Sequence, residues 1–247
     1  MTNRSKPQLP VGDTLTAATS GWHFGGHTPE VFAAHIRRSV PNYEAGHRLI
    51  AALSDFFVKP DSVCYELGCS VGELTLQMAT HHHAKPNTQW IGIDNEVAMI
   101  RKADQELKNT KPSNAVTFVC HDIMSVPLEK SDFIVAYYTL QFIHPRVRQT
   151  LMSQIYEALN WGGAFVLFEK VRGPDARFQD IFSTLYTDFK LENGFSPEEI
   201  VGKTQSLKGV LEPFSSQGNL DLLARAGFKD VTTVMKHLCF EGFLAIK

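Results

Sequence analysis

Cysteine is scarce. The chain has four in 247 residues, at Cys64, Cys69, Cys120 and Cys239, and none stands in a C-x-x-C pair. That spacing excludes a zinc finger and a disulfide framework. All four sit in or beside apolar runs, where a free thiol behaves as a small buried hydrophobe, so a reducing, cytoplasmic setting is expected. Long hydrophobic runs are also missing. None approaches the ~20 residues of a membrane span, and the first residues carry no apolar leader core, so no membrane partner is expected. Charge of one sign is missing as well: 24 Lys and Arg face 26 Asp and Glu, for a net charge of -2. The whole chain therefore has no electrostatic footprint for nucleic acid, and no direct nucleic-acid binding is predicted. There is no obvious internal repeat. The run His81, His82, His83 falls at a helix end before a Pro-Asn turn and reads as surface, so no metal site is expected.

What remains is 43% apolar composition, enough for one sizeable core. Residues 1–20 are polar and rich in Ser, Thr and Pro, and read as a mobile tail; residues 21–247 read as a single domain. Thr28-Pro29-Glu30 is a helix start. Val40-Pro41 breaks that helix, and a second is predicted from Tyr43 to Phe57. From Ser62 onward strands and helices alternate. Strands are predicted at Ser62–Leu67, Gln89–Ile93, Val116–Cys120, Phe133–Tyr138 and Ala164–Glu169, with helices at Glu73–Thr80, Ala98–Lys108 and Arg146–Leu159 between them. Trp161-Gly162-Gly163 is read as the stop of the last of these helices. Residues 172–215 read as a helical cap. A helix over Asn219–Ala226 precedes two closely spaced strands, at 231–235 and 239–246. This pattern predicts an α/β fold: a mostly parallel sheet covered on both faces, with an antiparallel C-terminal edge, N-terminal helices and a helical cap.

In such a sheet ligands bind beyond the carboxyl ends of the strands. The first strand of the alternation ends in "ELGCSVG", where Gly68 and Gly72 let backbone approach a ligand closely. Glu66 precedes this turn and Glu73 opens the next helix, so a pyrophosphate is disfavoured there and a cation favoured. Glu66 suits an ammonium. Asp94, at the end of the next strand, is placed to accept ribose hydroxyls. Asp122, beside Ile123, is placed to accept from an adenine amino group. An ammonium, a ribose and an adenine without phosphate describe S-adenosyl-L-methionine; the alternative is three ordinary strand-end turns.

The segments "ELGCSVG", "GIDN" and "CHDI" resemble, in order and spacing, the ligand motifs of the Rossmann-like class I methyltransferases over residues 60–170. From about Phe24 to Lys247 the resemblance narrows. "EVFAAHIRRSVPNYEAGHRLI", "YYTLQFIHPRVRQTLMSQIYEALNWGGAFVLFEK" and "DFKLENGFSPEEI" look like the carboxy-S-adenosyl-L-methionine synthase family. That resemblance implies a homodimer that takes S-adenosylmethionine and prephenate and transfers a carboxyl group to the methyl carbon. The product then serves tRNA wobble-uridine modification. It also implies that Tyr43 contacts the ligand, that Gly68, Cys69 and Ser70 line its amino-acid part, that Asp94 and Asn95 hold ribose, and that Asp122 and Ile123 hold adenine. Two positions depart from the family pattern. Tyr137 stands where the family has Asn, and Thr204, after Lys203, stands where it has an Arg that pairs with the product's extra carboxylate. A hydroxyl does not replace a permanently charged bidentate fork.

The departures make methyl transfer to a small-molecule acceptor the leading expectation. The carboxy-S-adenosylmethionine synthase reaction is the alternative, and a non-catalytic ligand-binding subunit is a third reading. Methyl transfer needs a positioned acceptor and, for an acidic acceptor, a base. Candidates are His144, Glu169 and Tyr137, with Tyr138 and Tyr186 nearby. Strand alternation predicts that Tyr137 and Tyr138 point to opposite faces. Arg37 and Arg38 read as solvated helix charges, and Phe178, Phe182, Leu185, Tyr186 and Phe189 as a packing or dimer stripe.

Overall fold

The computed structural model describes residues 7–26 and 28–247. Five parallel strands form the centre of one sheet: β3 (Val63–Leu67), β4 (Gln89–Asp94), β5 (Ala115–Cys120), β6 (Ser131–Tyr137) and β7 (Leu159–Lys170). Two antiparallel strands, β8 (Asp230–His237) and β9 (Phe240–Ile246), close one edge, giving the order β5-β4-β3-β6-β7-β9-β8. Strand order reverses between β3 and β6, so their carboxyl ends open the crevice where such sheets bind ligands. The expected mostly parallel sheet with an antiparallel C-terminal edge is what the chain forms.

Helices α2 (Tyr43–Ser54), α3 (Glu73–His81), α4 (Val97–Thr110), α5 (Pro145–Ala158) and α8 (Ser216–Ala226) flank this sheet, and α1 (Thr28–Ser39) precedes them. One core lies on the α5–α8 face, around Leu67, Ile134, Leu151, Ile155, Phe165 and Phe228. The other lies on the α2–α3 face, around Ile50, Cys64, Leu74, Met78, Phe133 and Phe168. β6 is buried on both faces, which is why its sequence runs apolar rather than alternating.

Three expectations change. The predicted tail is not featureless: β1 (Leu9–Gly12) and β2 (Leu15–Ala17) form a hairpin, and residues 1–6 lie outside the described residues. The hairpin is held from outside. It packs against α7 (Pro197–Ser206) where Gly202 leaves room for the Pro10 carbonyl, and Asp13 accepts from His35 Nδ1 and from Arg38, each at 2.6 Å. Second, Trp161-Gly162-Gly163 does not stop the helix. The helix ends at Ala158, and the motif lies inside β7, where Leu159 already pairs with Ser131 and the ladder shifts register before Phe133. Third, Arg37 and Arg38 are half-buried and paired instead of free helix charges. Arg37 bonds Glu44 and Glu73, and Arg38 bonds Asp13 and lies over the Phe195 ring. The cap segment contains α6 (Ala176–Glu192) and α7.

Candidate active site

A cavity of about 780 Å³ opens at the carboxyl ends of β3, β4 and β6 and is roofed by α1, α6, α7 and the N-terminal hairpin. Tyr43, Glu66, Gly68, Cys69, Ser70, Asp94, Asn95, Asp122, Ile123 and Tyr137, scattered over 95 positions of sequence, all line it. Its turn is built by backbone geometry. Gly68 has φ 78°, and a side chain there would collide with Thr139, whose hydroxyl donates to the Leu67 carbonyl. Asp94 ties the turn to the neighbouring strand: its Oδ2 accepts from Ser70 N and its Oδ1 from Glu96 N, both at 2.9 Å. Asp122 Oδ1 accepts from Met124 N at 2.9 Å, which fixes the loop carrying Ile123.

Glu66 is buried and accepts from the Thr75 hydroxyl. Burial pushes its carboxyl up to about 8, with the Thr75 bonds offsetting part of the effect. Burial also raises Asp94. Two desolvated carboxylates in one cavity create a demand for a cationic, hydroxyl-rich ligand. Glu73 contributes less than the sequence suggests, because Arg37 is bonded to it.

Tyr137 and Tyr138 do not diverge. The strand ends at Tyr137, Tyr138 has φ 60°, and both rings line the cavity with centroids 4.6 Å apart. Tyr137 donates to the Tyr43 carbonyl at 2.6 Å, and burial raises its hydroxyl far above the ordinary tyrosine range. It is a packed wall and not a base. The other two catalytic candidates lie elsewhere. His144 is exposed, caps α5 through Nδ1, and is not part of the cavity. Glu169 is buried behind the wall, where its Oε1 accepts from Leu140 N at 2.9 Å; it fixes the turn after β6 and does not face the ligand space. Its ion pair with the cap is not formed.

The other end of the cavity is cationic. Lys170, Lys190 and Lys203 line it. None has a carboxylate within ion-pair reach among the described residues; their ammonium groups lie over rings instead. Lys170 Nζ is 4.2 Å from the Tyr186 centroid, Lys190 Nζ 4.5 Å from the same ring, and Lys203 Nζ 2.7 Å from Trp22. Burial lowers all three. Lys190 falls to about 8, with Lys170 adding repulsion, and Lys203 falls to about 6, with Asp13 opposing. Thr204 sits on the exposed rim, its hydroxyl returned to the Ile200 carbonyl. Lys203 was legible beside the missing Arg; Lys170 and Lys190, with Trp22 and Phe24 as further walls, had no sequence signal. The lysines come together only when β7, α6 and α7 fold over the sheet.

Comparison with known proteins places this geometry. The family model described as "Methyltransferase domain" matches residues 65–163. The human N-acetylserotonin methyltransferase, solved with S-adenosylmethionine, superposes with a TM-score of 0.58 at 17% identity, covering 83% of this chain and 52% of that one. The cyclase SpnF superposes with a TM-score of 0.58 at 16% identity, over 82% and 80% of the two chains. At those identities the likeness shows the fold alone. Two sequence relatives go further. The carboxy-S-adenosyl-L-methionine synthase of Staphylococcus epidermidis is 36% identical over 227 residues, 92% of this chain and 97% of its own. That of Shewanella oneidensis is 34% identical over 239 residues, 95% and 98% of the two chains. The cofactor of this family is S-adenosyl-L-methionine, and the acids expected to meet its ammonium, ribose and adenine, Glu66, Asp94 and Asp122, line one cavity with Asn95 and Ile123. The chain is an S-adenosylmethionine-dependent enzyme of class I methyltransferase fold and belongs to the carboxy-S-adenosyl-L-methionine synthase family.

Proposed function

We propose that this chain transfers the ring carboxyl group of prephenate to the methyl carbon of S-adenosylmethionine in place of one of its protons, forming carboxy-S-adenosylmethionine; the rest of prephenate aromatises by expelling its ring hydroxyl and leaves as phenylpyruvate, and the hydroxide takes the methyl proton as water. The observation that carries this reading is the cluster Lys170, Lys190 and Lys203, one buried and two half-buried amines that line the same cavity as Glu66 and Asp94 and have no carboxylate partner within ion-pair reach among the described residues. Burial disfavours the charged form of these amines, and a polyanionic ligand favours it, so the two charge one another on binding. Prephenate carries two carboxylates, and the product carries one more than the adenosyl donor. The lysines thus take the role left open by Thr204, as point charges and not as a bidentate fork. The cavity walls supply orientation and exclusion of water.

A second reading, methyl transfer to a small anionic acceptor, is favoured by Thr204 itself and by Tyr137 in place of the family Asn. Mass spectrometry of small molecules released on denaturing the protein straight from cells separates them. The synthase reading predicts the carboxylated nucleoside. S-adenosylmethionine or S-adenosylhomocysteine alone supports methyl transfer.

We further propose a cytoplasmic homodimer. Phe178, Ile181 and Leu185 follow one another along α6 at helical spacing and are 47, 44 and 44% exposed, an apolar stripe that a second copy of the chain would cover. Leu185→Lys is expected to convert a dimer to a monomer in light scattering; a wild-type monomer contradicts the proposal.

A further inference from the structure

Outside the ligand cavity, the carboxyl ends of two helices meet. Asp55 caps the carboxyl end of α2, His81 is the last residue of α3, and His82 caps it. Each helix end carries partial negative charge from its free carbonyls. His81 Nε2 lies 3.0 Å from Asp55 Oδ2, and His82 Nδ1 lies 3.8 Å from Asp55 Oδ1. One donor atom from each of the three residues falls within 4.8 Å of the others. None of the three lines the ligand cavity.

The deciding atom is His82 Nδ1. The side chain is 1% exposed. The Ser54 hydroxyl donates its only hydrogen to the Ala51 carbonyl at 2.7 Å, so in its 2.7 Å bond with His82 Nε2 the imidazole N–H is the donor. That fixes the neutral tautomer and leaves Nδ1 as a bare lone pair. Nδ1 is buried and has no hydrogen-bond partner. It faces the Asp55 carboxylate, acceptor toward acceptor.

We propose that Asp55, His81 and His82 bind a divalent transition-metal ion of the zinc type, with water completing the coordination. Two imidazoles and a carboxylate are an ordinary ligand set for Zn²⁺. The Ser54 contact is the orienting bond that a metal-binding imidazole makes through its other nitrogen. The bound ion cross-links α2, which carries Tyr43 into the active-site wall, to α3, which follows the ligand turn. Lys85 Nζ, 3.5 Å from Asp55 Oδ1, is the competing cation.

The test titrates Zn²⁺ into the chelator-treated full chain against a chromophoric competitor, with Co²⁺ absorption as a second readout. One ion per chain is expected. Asp55→Asn and His81→Gln, both at exposed positions that leave the fold intact, weaken binding at least about tenfold. Lys85→Met tightens it about threefold or more, because the competing ammonium is gone. No stoichiometric binding by the wild-type chain overturns the proposal, as does unchanged affinity in either ligand variant.

Discussion

Replacing Lys203 with Met tests the cationic end of the cavity through its pH dependence. Burial holds Lys203 at about 6, so in the free protein at pH 8 only about 1% of these side chains carry a charge. A carboxylate bound beside it favours the ammonium form, so binding takes up a proton. The sign follows: affinity for the anion falls as pH rises above 6. One lysine gives about tenfold per pH unit, or about 1.4 kcal/mol, and so about thirtyfold between pH 6.5 and 8. The assay is calorimetric titration of prephenate into protein saturated with S-adenosylhomocysteine, repeated in buffers of different ionisation heat to count the proton taken up. Lys203→Met is expected to bind weakly at pH 6.5, to lose most of the slope, and to approach the wild-type affinity by pH 8. A flat wild-type profile, or the same slope in the variant, refutes the reasoning.

The acidic end predicts the opposite sign. Burial raises Glu66 to about 8, and the ammonium of S-adenosylmethionine favours its ionised form, so affinity for the donor rises with pH between about 6 and 8 and levels off above; Glu66→Gln flattens that profile in the same titration. Asp94→Ala removes the acceptor of Ser70 N and Glu96 N together with the carboxylate expected to meet the ribose hydroxyls, and donor affinity is expected to drop at least about thirtyfold by calorimetry; retained affinity places the ribose elsewhere. Thr204→Arg restores a fixed guanidinium at the rim and tightens carboxy-S-adenosylmethionine at least about tenfold without changing S-adenosylmethionine binding; equal effects on both ligands mean the rim does not reach the extra carboxylate.

Much of this was readable from the chain because it is local. Strand and helix periods between Ser62 and Glu169 fix the sheet, and a parallel sheet puts the ends of its strands, and so Glu66, Asp94 and Asp122, on one rim. What was not readable depends on long-range placement. Glu169 ends a strand beside the site, as the rule for such sheets suggests, yet it turns to the backbone of Leu140 behind the wall. Tyr138 follows Tyr137 in sequence, but a left-handed residue at the strand end cancels the alternation. The hairpin at Leu9–Ala17 has strands of four and three residues, too short for a periodic signal, and it is held by Asp13 bonding His35 and Arg38 more than twenty positions on. Lys170 and Lys190 carry no motif and become a site only when the cap closes over β7. The histidine run was set aside as a helix end. Its lone pair at His82 Nδ1 is visible only once Ser54 is seen to occupy the other nitrogen.

Whether this cavity joins a carboxylate-bearing substrate to the adenosyl donor is read from the products. The purified chain is incubated with S-adenosylmethionine, with and without prephenate, and the products are identified by mass spectrometry. Prephenate-dependent formation of carboxy-S-adenosylmethionine, reduced when Lys203 is replaced with Met, is the predicted result. Donor left unchanged with prephenate, while S-adenosylhomocysteine accumulates with another acceptor, would contradict the claim and assign the fold to methyl transfer.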